Sequence, residues 1–442
     1  MIRRGIGKSP LQAVLLSCGM VALLCAATDV GATDVEASAT LGAGYTDNLG
    51  RDFDNKTSSE IGLVGVNFGL SKRTRKIDAY IRSGLQYLYY DVENFDSEVV
   101  GGGEARIEMS LIEDYLKWTI NDNYGQQLLD PFLPAQPTNR ENVNYFSTGP
   151  TLDIPLGDRN LLNITGLYSN VNYETSPFDN TGWEAGIQLA REIRTDQLLS
   201  LNANRNATYY DNGGLSRDYD RYEYFARLDS HRGRNEVQVD VGYNELDFGL
   251  QETSGGGLIR ITWERELSSA STLTLNGGSD YASQADRLRY VQANQREIGS
   301  TADIEGQDVP FRNDYFNVDY GHTRERTTFD VGLEWNKEDY EGRSDRNRDI
   351  WRLVAYLRRM LSHKTYGEFG VQAVRREYSG LTRTDDDTDI TLLFGVYLNP
   401  RVTLSLQYLF FNRNSNENTG EFTENRIFLN LSYTPKWGEK RN

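Results

Sequence analysis

The feature that most constrains this chain is a pattern that repeats about twenty times, in which a dozen or so residues alternate apolar with polar and then reach a turn. Alternation with a period of two is typical of β-strands that have one apolar and one polar face. In residues 236–243 (EVQVDVGY), for example, three valines and a tyrosine share one face. Strands this long and this numerous predict an all-β fold, a closed antiparallel transmembrane β-barrel of about 20 strands (18–22).

The low mean hydropathy of the sequence is compatible with a membrane barrel. The mean hydropathy is −0.60, and no run after the N-terminal segment approaches the roughly 18 apolar residues that a spanning helix needs. A barrel strand presents only every second residue to lipid, and closure satisfies every backbone group. The 27 tyrosines and six tryptophans fit the aromatic girdles of such barrels.

The predicted connections alternate in length along the chain. Short turns are predicted at residues 71–76, 155–160, 194–197 and 361–364. Long polar loops are predicted at residues 47–58, 126–140, 282–311 and 378–389. Outer-membrane barrels have short periplasmic turns and long extracellular loops, and an even strand number leaves both termini in the periplasm.

The N-terminal segment predicts export. Arg3, Arg4 and Lys8 precede an apolar run over residues 11–27, and small residues follow as far as Ala32. This pattern is typical of a signal peptide, here residues 1–32, cleaved near Ala32. Residues 33–442 then form the barrel domain in the cell outer membrane.

Composition after cleavage excludes two classes of function. Both cysteines lie in the leader, so the mature chain is predicted to have no disulfide and no thiolate chemistry. The leader holds three basic residues and one acidic residue, which reduces the chain's 47 basic and 64 acidic residues to 44 and 63. Such an acidic exported protein is not expected to bind nucleic acid.

Alternation also sorts charged residues onto the polar face. A dry interior would not hold so many charges, so we expect a hydrated lumen. Arg205 falls on the apolar face in mid-strand, which predicts a bulge near Asn204. The predicted lumen-lining residues are Arg82, Glu104, Arg106, Glu236, Asp240, Arg260, Glu264, Asp330, Glu334, Arg352, Arg358 and Arg376.

Two arrangements of these charges remain open. Acidic residues dominate the predicted strands eleven to fifteen, and arginines dominate the next two. The charges either face one another across the pore, which would create a transverse field, or pair between neighbouring strands and stiffen the wall. The second arrangement is favoured.

Two long loops are candidates for a constriction, and a third contains a candidate cation site. Residues 126–140, which have an apolar tip, and residues 282–311 either fold inward or extend into solvent, and the outward arrangement is favoured. The acidic run at residues 385–389 either holds a divalent cation or is a solvated external loop. It lacks the glycine and terminal glutamate of a calcium loop, which favours the solvated loop.

The sequence gives little support to catalysis. His231 and His363 are predicted in periplasmic turns and His322 low on its strand, with no nucleophile motif beside any of them. A general base must lie within hydrogen-bonding reach of its proton. We therefore predict no enzyme, no catalytic or metal site, and no cofactor.

Segments at both ends of the chain resemble a known family. The opening segment LGAGYTDNLGR (41–51), and near the end RNSN (413–416), FTENR (422–426) and IFLNLSY (427–433), are similar to the β-barrel porin 2 family. The resemblance implies an outer-membrane barrel, often associated with exopolysaccharide export systems. The chain departs from that pattern because a polar tail, residues 434–442, follows the last aromatic strand.

Three functions fit this fold. The barrel is a channel for hydrophilic material, either a porin or an exopolysaccharide export portal. Alternatively, it is a structural or adhesive barrel with a blocked lumen that acts through its external loops. A small-solute porin predicts a charged constriction, whereas a saccharide route predicts aromatic residues along the lumen.

The predicted partners follow from the same expectations. They are outer-membrane lipids and lipopolysaccharide, the barrel assembly machinery, and, on the family resemblance, a polysaccharide export apparatus. Monomer and trimer both remain open.

Overall fold

A computed structural model describes residues 32–211, 216–249, 253–283, 286, 309–417 and 420–435. It contains twenty β-strands and two short 3₁₀ turns, Pro137–Asn139 and Ser344–Arg346. No helix in these residues is long and apolar enough to cross a membrane. The strands are β1 (Ala32–Thr46), β2 (Ser59–Arg73), β3 (Ile77–Tyr90), β4 (Glu98–Ile112), β5 (Leu116–Leu128), β6 (Arg140–Pro155), β7 (Asn160–Tyr173), β8 (Asn180–Arg194), β9 (Gln197–Tyr210), β10 (Tyr219–Arg232), β11 (Asn235–Asp247), β12 (Thr253–Ser268), β13 (Ser271–Ala282), β14 (Phe311–Arg324), β15 (Thr327–Tyr340), β16 (Arg348–Met360), β17 (Thr365–Tyr378), β18 (Arg383–Asn399), β19 (Val402–Ser415) and β20 (Phe422–Tyr433).

The twenty strands form one closed antiparallel barrel, which confirms the predicted fold and strand number. Each strand pairs with the next in sequence, and β20 pairs back with β1. This seam joins eight residue pairs, from Thr46 opposite Arg426 to Ala39 opposite Tyr433. Closure pairs the two edge strands over this stretch, whereas residues 32–38 of β1 pair with β2 alone.

The connections alternate in length and define two ends of the barrel. We call the end with short connections the turn end and the other the loop end. The predicted short turns are confirmed at residues 74–76, 156–159, 195–196 and 361–364. The predicted leader lies outside the described residues, except Ala32 at the start of β1. Both β1 and β20 meet the termini at the turn end.

One predicted long loop is wrong. The connection between β17 and β18 is residues 379–382 and not 378–389, because β18 already begins at Arg383. The acidic run at residues 385–389 therefore belongs to a strand. Its side chains alternate between the two faces of the sheet, so it is not a solvated external loop.

The two faces of the sheet differ in chemistry. One face carries large apolar side chains that are exposed, including Trp183, Leu201 and Val241. The other carries charged side chains with no exposed surface, such as Asp240 and Glu338. Because a closed barrel encloses only one face, the face with the buried charges is the interior face, and the apolar outer face needs a non-aqueous surrounding.

Arg205 lies on the outer face, but the predicted bulge near Asn204 is wrong. The pairing of β9 continues without a shift through Arg205, opposite Ala185 on β8 and Tyr222 on β10. The guanidinium of Arg205 instead forms an ion pair with Asp220 at 2.9 Å and lies 5.7 Å from the ring centre of Tyr222. A paired charge beside an aromatic ring fits the rim of an apolar belt.

Two glycines of β1 allow the seam to pack. A Cβ atom on Gly44 would lie 2.4 Å from the ring of Phe428, and one on Gly42 would lie 2.2 Å from the side-chain oxygen of Asn430. The missing side chains therefore leave the space that β20 fills. This steric requirement explains the glycines in the opening segment LGAGY.

We predict that Gly44→Leu destabilises the barrel by about 1–3 kcal/mol, because the added side chain overpacks the seam against Phe428. Urea unfolding of the refolded protein, followed by tryptophan fluorescence, measures the change. The matched control is Ala43→Leu on the exposed outer face, for which we expect a change within about 0.5 kcal/mol. Equal effects of the two substitutions would contradict the packing argument.

Candidate functional site

The twelve charged residues predicted from sequence share the interior face. The register places Arg82 opposite Glu104, Asp240 opposite Arg260, and Glu334 opposite Arg352. The other six lie on the same face. Each is an even number of residues from one of these along its strand or stands opposite an interior residue in the register: Arg106, Glu236, Glu264, Asp330, Arg358 and Arg376.

The interior charges pair mainly between neighbouring strands. Arg352 approaches Glu334 at 3.4 Å, and Arg358 approaches Glu368 at 3.4 Å. Arg376 forms an ion pair with Asp387. This is the pairing that we favoured over a transverse field. It neutralises arginines locally and stiffens the wall.

A dense network covers the interior face of β10 to β13. Arg260 forms an ion pair with Glu223 at 2.8 Å and one with Asp280, and Asp240 accepts hydrogen bonds from Arg227 at 2.7 and 2.8 Å. Asp240 has no exposed surface. Sequence analysis identified Arg260 and Asp240 but missed the other three residues, although the same alternation along β10 and β13 would have found them.

The acidic run on β18 serves as the counter-charge for arginines on β17 to β19. Asp387 lies between Arg376 and Arg413, with Arg413 at 2.6 Å. Asp385 is fully buried and pairs with Arg383 at 3.0 Å. In the described part of the chain, no group of acidic, histidine or cysteine residues has the arrangement of a metal site.

The two sequence segments that carry the family resemblance meet at the loop end of the seam. Asp47 accepts hydrogen bonds at 2.7 Å from the backbone and the side-chain amide of Asn425. The amide of Asn48 donates to the carbonyl of Thr423 at 3.0 Å. Leu49, which is fully buried, packs in an apolar cluster on the interior side. The two segments therefore form one structural unit that closes the barrel.

A buried carboxylate organises this unit. Glu424 has no exposed surface, accepts a hydrogen bond from Thr46 at 2.6 Å, and forms ion pairs with Arg426 and, at 2.9 Å, with Arg51. The guanidinium of Arg51 also lies 4.6 Å from the ring centre of Phe411. Burial lowers the pKa of Arg51, and the charge of Glu424 opposes that shift. The β1–β2 loop is thereby fixed against the last hairpin.

The β5–β6 loop, residues 129–139, crosses to the opposite wall at the loop end. The ring of Phe132 lies 5.0 Å from that of Tyr378 on β17, and its carbonyl accepts a hydrogen bond from Arg383 on β18 at 2.6 Å. The guanidinium of Arg346, between β15 and β16, lies 4.8 Å from the Phe132 ring centre. The favoured outward arrangement is therefore wrong for this loop, since its apolar tip finds aromatic and cationic partners across the barrel.

Asn139 gives the β5–β6 loop a defined shape. Its side-chain amide donates to the carbonyls of Asp130, Leu133 and Pro134 at 2.8, 3.2 and 3.0 Å, and its oxygen accepts from the amide of Asp130 at 2.8 Å. One buried side chain thus satisfies four backbone groups of the loop. The other candidate constriction, residues 282–311, lies almost entirely outside the described residues.

The interior differs in accessibility along the barrel axis. Near the turn end, interior side chains are open to solvent: Tyr80 is 41% exposed, and the side chain of Glu236 is 65% exposed. Near the loop end, Arg348 and Glu338 are at most 1% exposed and pair at 2.8 Å. The interior is therefore open to solvent at the turn end and densely packed at the loop end.

The histidines do not lie on the narrowed interior. Nδ1 of His322 is 2.8 Å from the hydroxyl of Ser271, a proximity that sequence analysis missed. Ser271 and His322 are register partners at the turn end, and both lie on the outer face, as Leu273 does. His231 lies 3.5 Å from Glu236 near a short connection. The absence of enzymatic activity stays a prediction.

The comparisons with known proteins found similarity to solved structures of outer-membrane proteins. No family model and no curated protein matches the chain. The siderophore receptor PirA from Acinetobacter baumannii aligns over 90% of this chain and 80% of its own, with 7% identity and a TM-score of 0.48. A BenF-like porin from Pseudomonas fluorescens Pf-5 aligns over 91% and 99%, with 10% identity and a TM-score of 0.40. OprD from Pseudomonas aeruginosa aligns over 91% and 95%, with 10% identity and a TM-score of 0.37. At such TM-scores these similarities carry no argument about function.

We predict that Asp387→Asn lowers the free energy of unfolding by about 3 kcal/mol, because Arg376 and Arg413 would face each other without their shared carboxylate. Urea unfolding of the refolded protein tests this. The matched control is the adjacent Asp386→Asn, whose side chain is 49% exposed on the outer face and whose loss should cost less than about 1 kcal/mol. A small effect at Asp387 would show that the arginines are stabilised by other contacts.

Proposed function

We propose that this protein is an outer-membrane channel for small hydrophilic solutes, narrowed at its extracellular end by the β5–β6 loop. The single observation that carries this proposal is the path of that loop. Phe132 reaches across to Tyr378 and Arg383 on the far wall, while the interior towards the turn end stays open and charged. An interior that is open to solvent and has one narrow, charged segment is the geometry of a selective pore.

The chemistry of the two faces supports a membrane location. Trp183 and Leu201 are each 61% exposed on the outer face, which is costly in water and favourable in a lipid bilayer. The predicted leader directs export, and the long connections would face the exterior. Before the seam forms, β20 has a free edge that the assembly machinery can engage.

The distribution of interior aromatic residues favours small solutes over a polysaccharide. A saccharide route needs aromatic side chains exposed along the lumen. Tyr80 is exposed near the turn end, but Tyr90, Tyr378 and Phe428 are almost fully buried at the loop end. Charged residues, in contrast, line both the constriction and the wider interior. The polysaccharide export portal and its apparatus rest on the family resemblance alone.

A second candidate, the blocked structural or adhesive barrel, has one observation in its favour. Ion pairs at the loop end are buried, notably Arg348 with Glu338 and Arg51 with Glu424. Such packing also suits a closed lumen whose acidic external loops contact a partner. Conductance separates this candidate from a channel.

We expect the refolded mature protein to conduct steadily in planar bilayers. The substitution Phe132→Ala should raise the unitary conductance by roughly twofold, because the narrowest segment sets the resistance of a pore. The matched control is Phe53→Ala in the β1–β2 loop, where the ring is 59% exposed and the conductance should stay unchanged.

The outcomes separate the candidates. No current from protein that is shown to be folded would contradict the channel and support the blocked barrel. An unchanged conductance in Phe132→Ala would contradict the role of the β5–β6 loop. Transient block by added oligosaccharide would support the saccharide route instead.

A further inference from the structure

The connections at the two ends of the barrel differ strongly in charge. In the described part of the chain, the loop-end connections carry sixteen Asp and Glu residues against five Lys and Arg. The turn-end connections, all of which are described, carry five against seven. The acidic excess of the whole protein is therefore concentrated at the loop end, around the narrowed mouth.

Several of these carboxylates are exposed in loops that border the seam. Asp52 and Asp54 lie between β1 and β2, and Glu93 and Asp96 lie between β3 and β4; all four are exposed. The single arginine of the β1–β2 loop, Arg51, is turned inward and paired with Glu424. Arg51 shares that carboxylate with Arg426 and lies below the exposed acids, which leaves Lys56 as the exposed basic residue of this loop.

The interior does not reverse this sign. Arg352 and Arg358 are paired with carboxylates on neighbouring strands. Near the turn end, in contrast, Glu236 lies directly opposite Glu264, and both are open to the lumen. Arg82 and Arg106 are exposed on the same face, so a solute that has passed the constriction meets both signs of charge there and no surface of purely positive charge.

We infer that the channel selects cations and small cationic solutes over anions. This inference rests on the proposed channel function. Carboxylates around a low-dielectric mouth raise the local concentration of cations and lower that of anions. The effect extends over a Debye length, about 10 Å at 0.1 M salt. Selection arises from this long-range field, and it needs no bound ion.

The test is the reversal potential of the refolded mature protein in a planar bilayer under a KCl gradient. We expect the sign of a potassium-selective pore, with a permeability ratio for K⁺ over Cl⁻ several-fold above one near 0.1 M salt. The ratio should decline towards one near 1 M, where the Debye length falls to about 3 Å.

A charge-matched pair of variants locates the effect. The triple substitution D54N, E93Q and D96N removes three exposed acids at the loop end and should lower the permeability ratio by roughly twofold. The control triple D114N, D158N and E325Q removes three exposed acids at the turn end and should change the ratio less. Heat-modifiable migration on a gel confirms that each variant is folded.

Each outcome decides one question. A conducting protein with an anion-selective or zero reversal potential overturns the inference and leaves the channel intact. An equal change in both triples overturns the assignment of selectivity to the loop end. Folded protein without any current overturns the proposed function and the selectivity with it.

Discussion

The pairing of β20 with β1 is the constraint on which the rest of the structure depends. Until these strands meet, two edges present unpaired backbone groups that the hydrocarbon of a bilayer cannot satisfy. The seam is short, at eight residue pairs, and side chains reinforce it. Gly44 admits Phe428, and Glu424 gathers Thr46, Arg51 and Arg426 around one buried carboxylate.

Charged side chains in the interior are neutralised by oppositely charged side chains close to them. Burying an unpaired charge costs several kcal/mol, so most deeply buried carboxylates at the loop end have a guanidinium beside them. Glu141 instead accepts hydrogen bonds from the side-chain amide of Gln127 and from Ser176. Asp387 has two guanidinium groups beside it, from Arg376 and Arg413. Arginine suits this role because its planar fork bridges partners on different strands and stacks on aromatic rings. The wall is thereby rigid where the barrel is narrow.

The strands, and the face of the sheet on which each residue lies, were predictable because the alternation of apolar and polar residues is visible in the sequence itself. Long-range pairing was not. Five consecutive polar residues at 385–389 have the composition of a loop, and only the arginines of β17 and β19 make them a strand. Likewise, the apolar tip at Phe132 was visible, but its partners Arg346 and Arg383 lie more than two hundred residues away. Arg205 was placed correctly on the outer face, yet its partner Asp220 made a bulge unnecessary.

The meeting of the first loop with the last hairpin has a consequence for biogenesis. Leu49 and Arg51 are made early, but Phe428, which packs in the cluster of Leu49, and Glu424, which pairs with Arg51, are made last. An incomplete chain therefore exposes an apolar side chain and an unpaired cation at its leading end. A chain that ends before β20 therefore cannot complete either contact, and such incompletely folded products are open to chaperones and proteases.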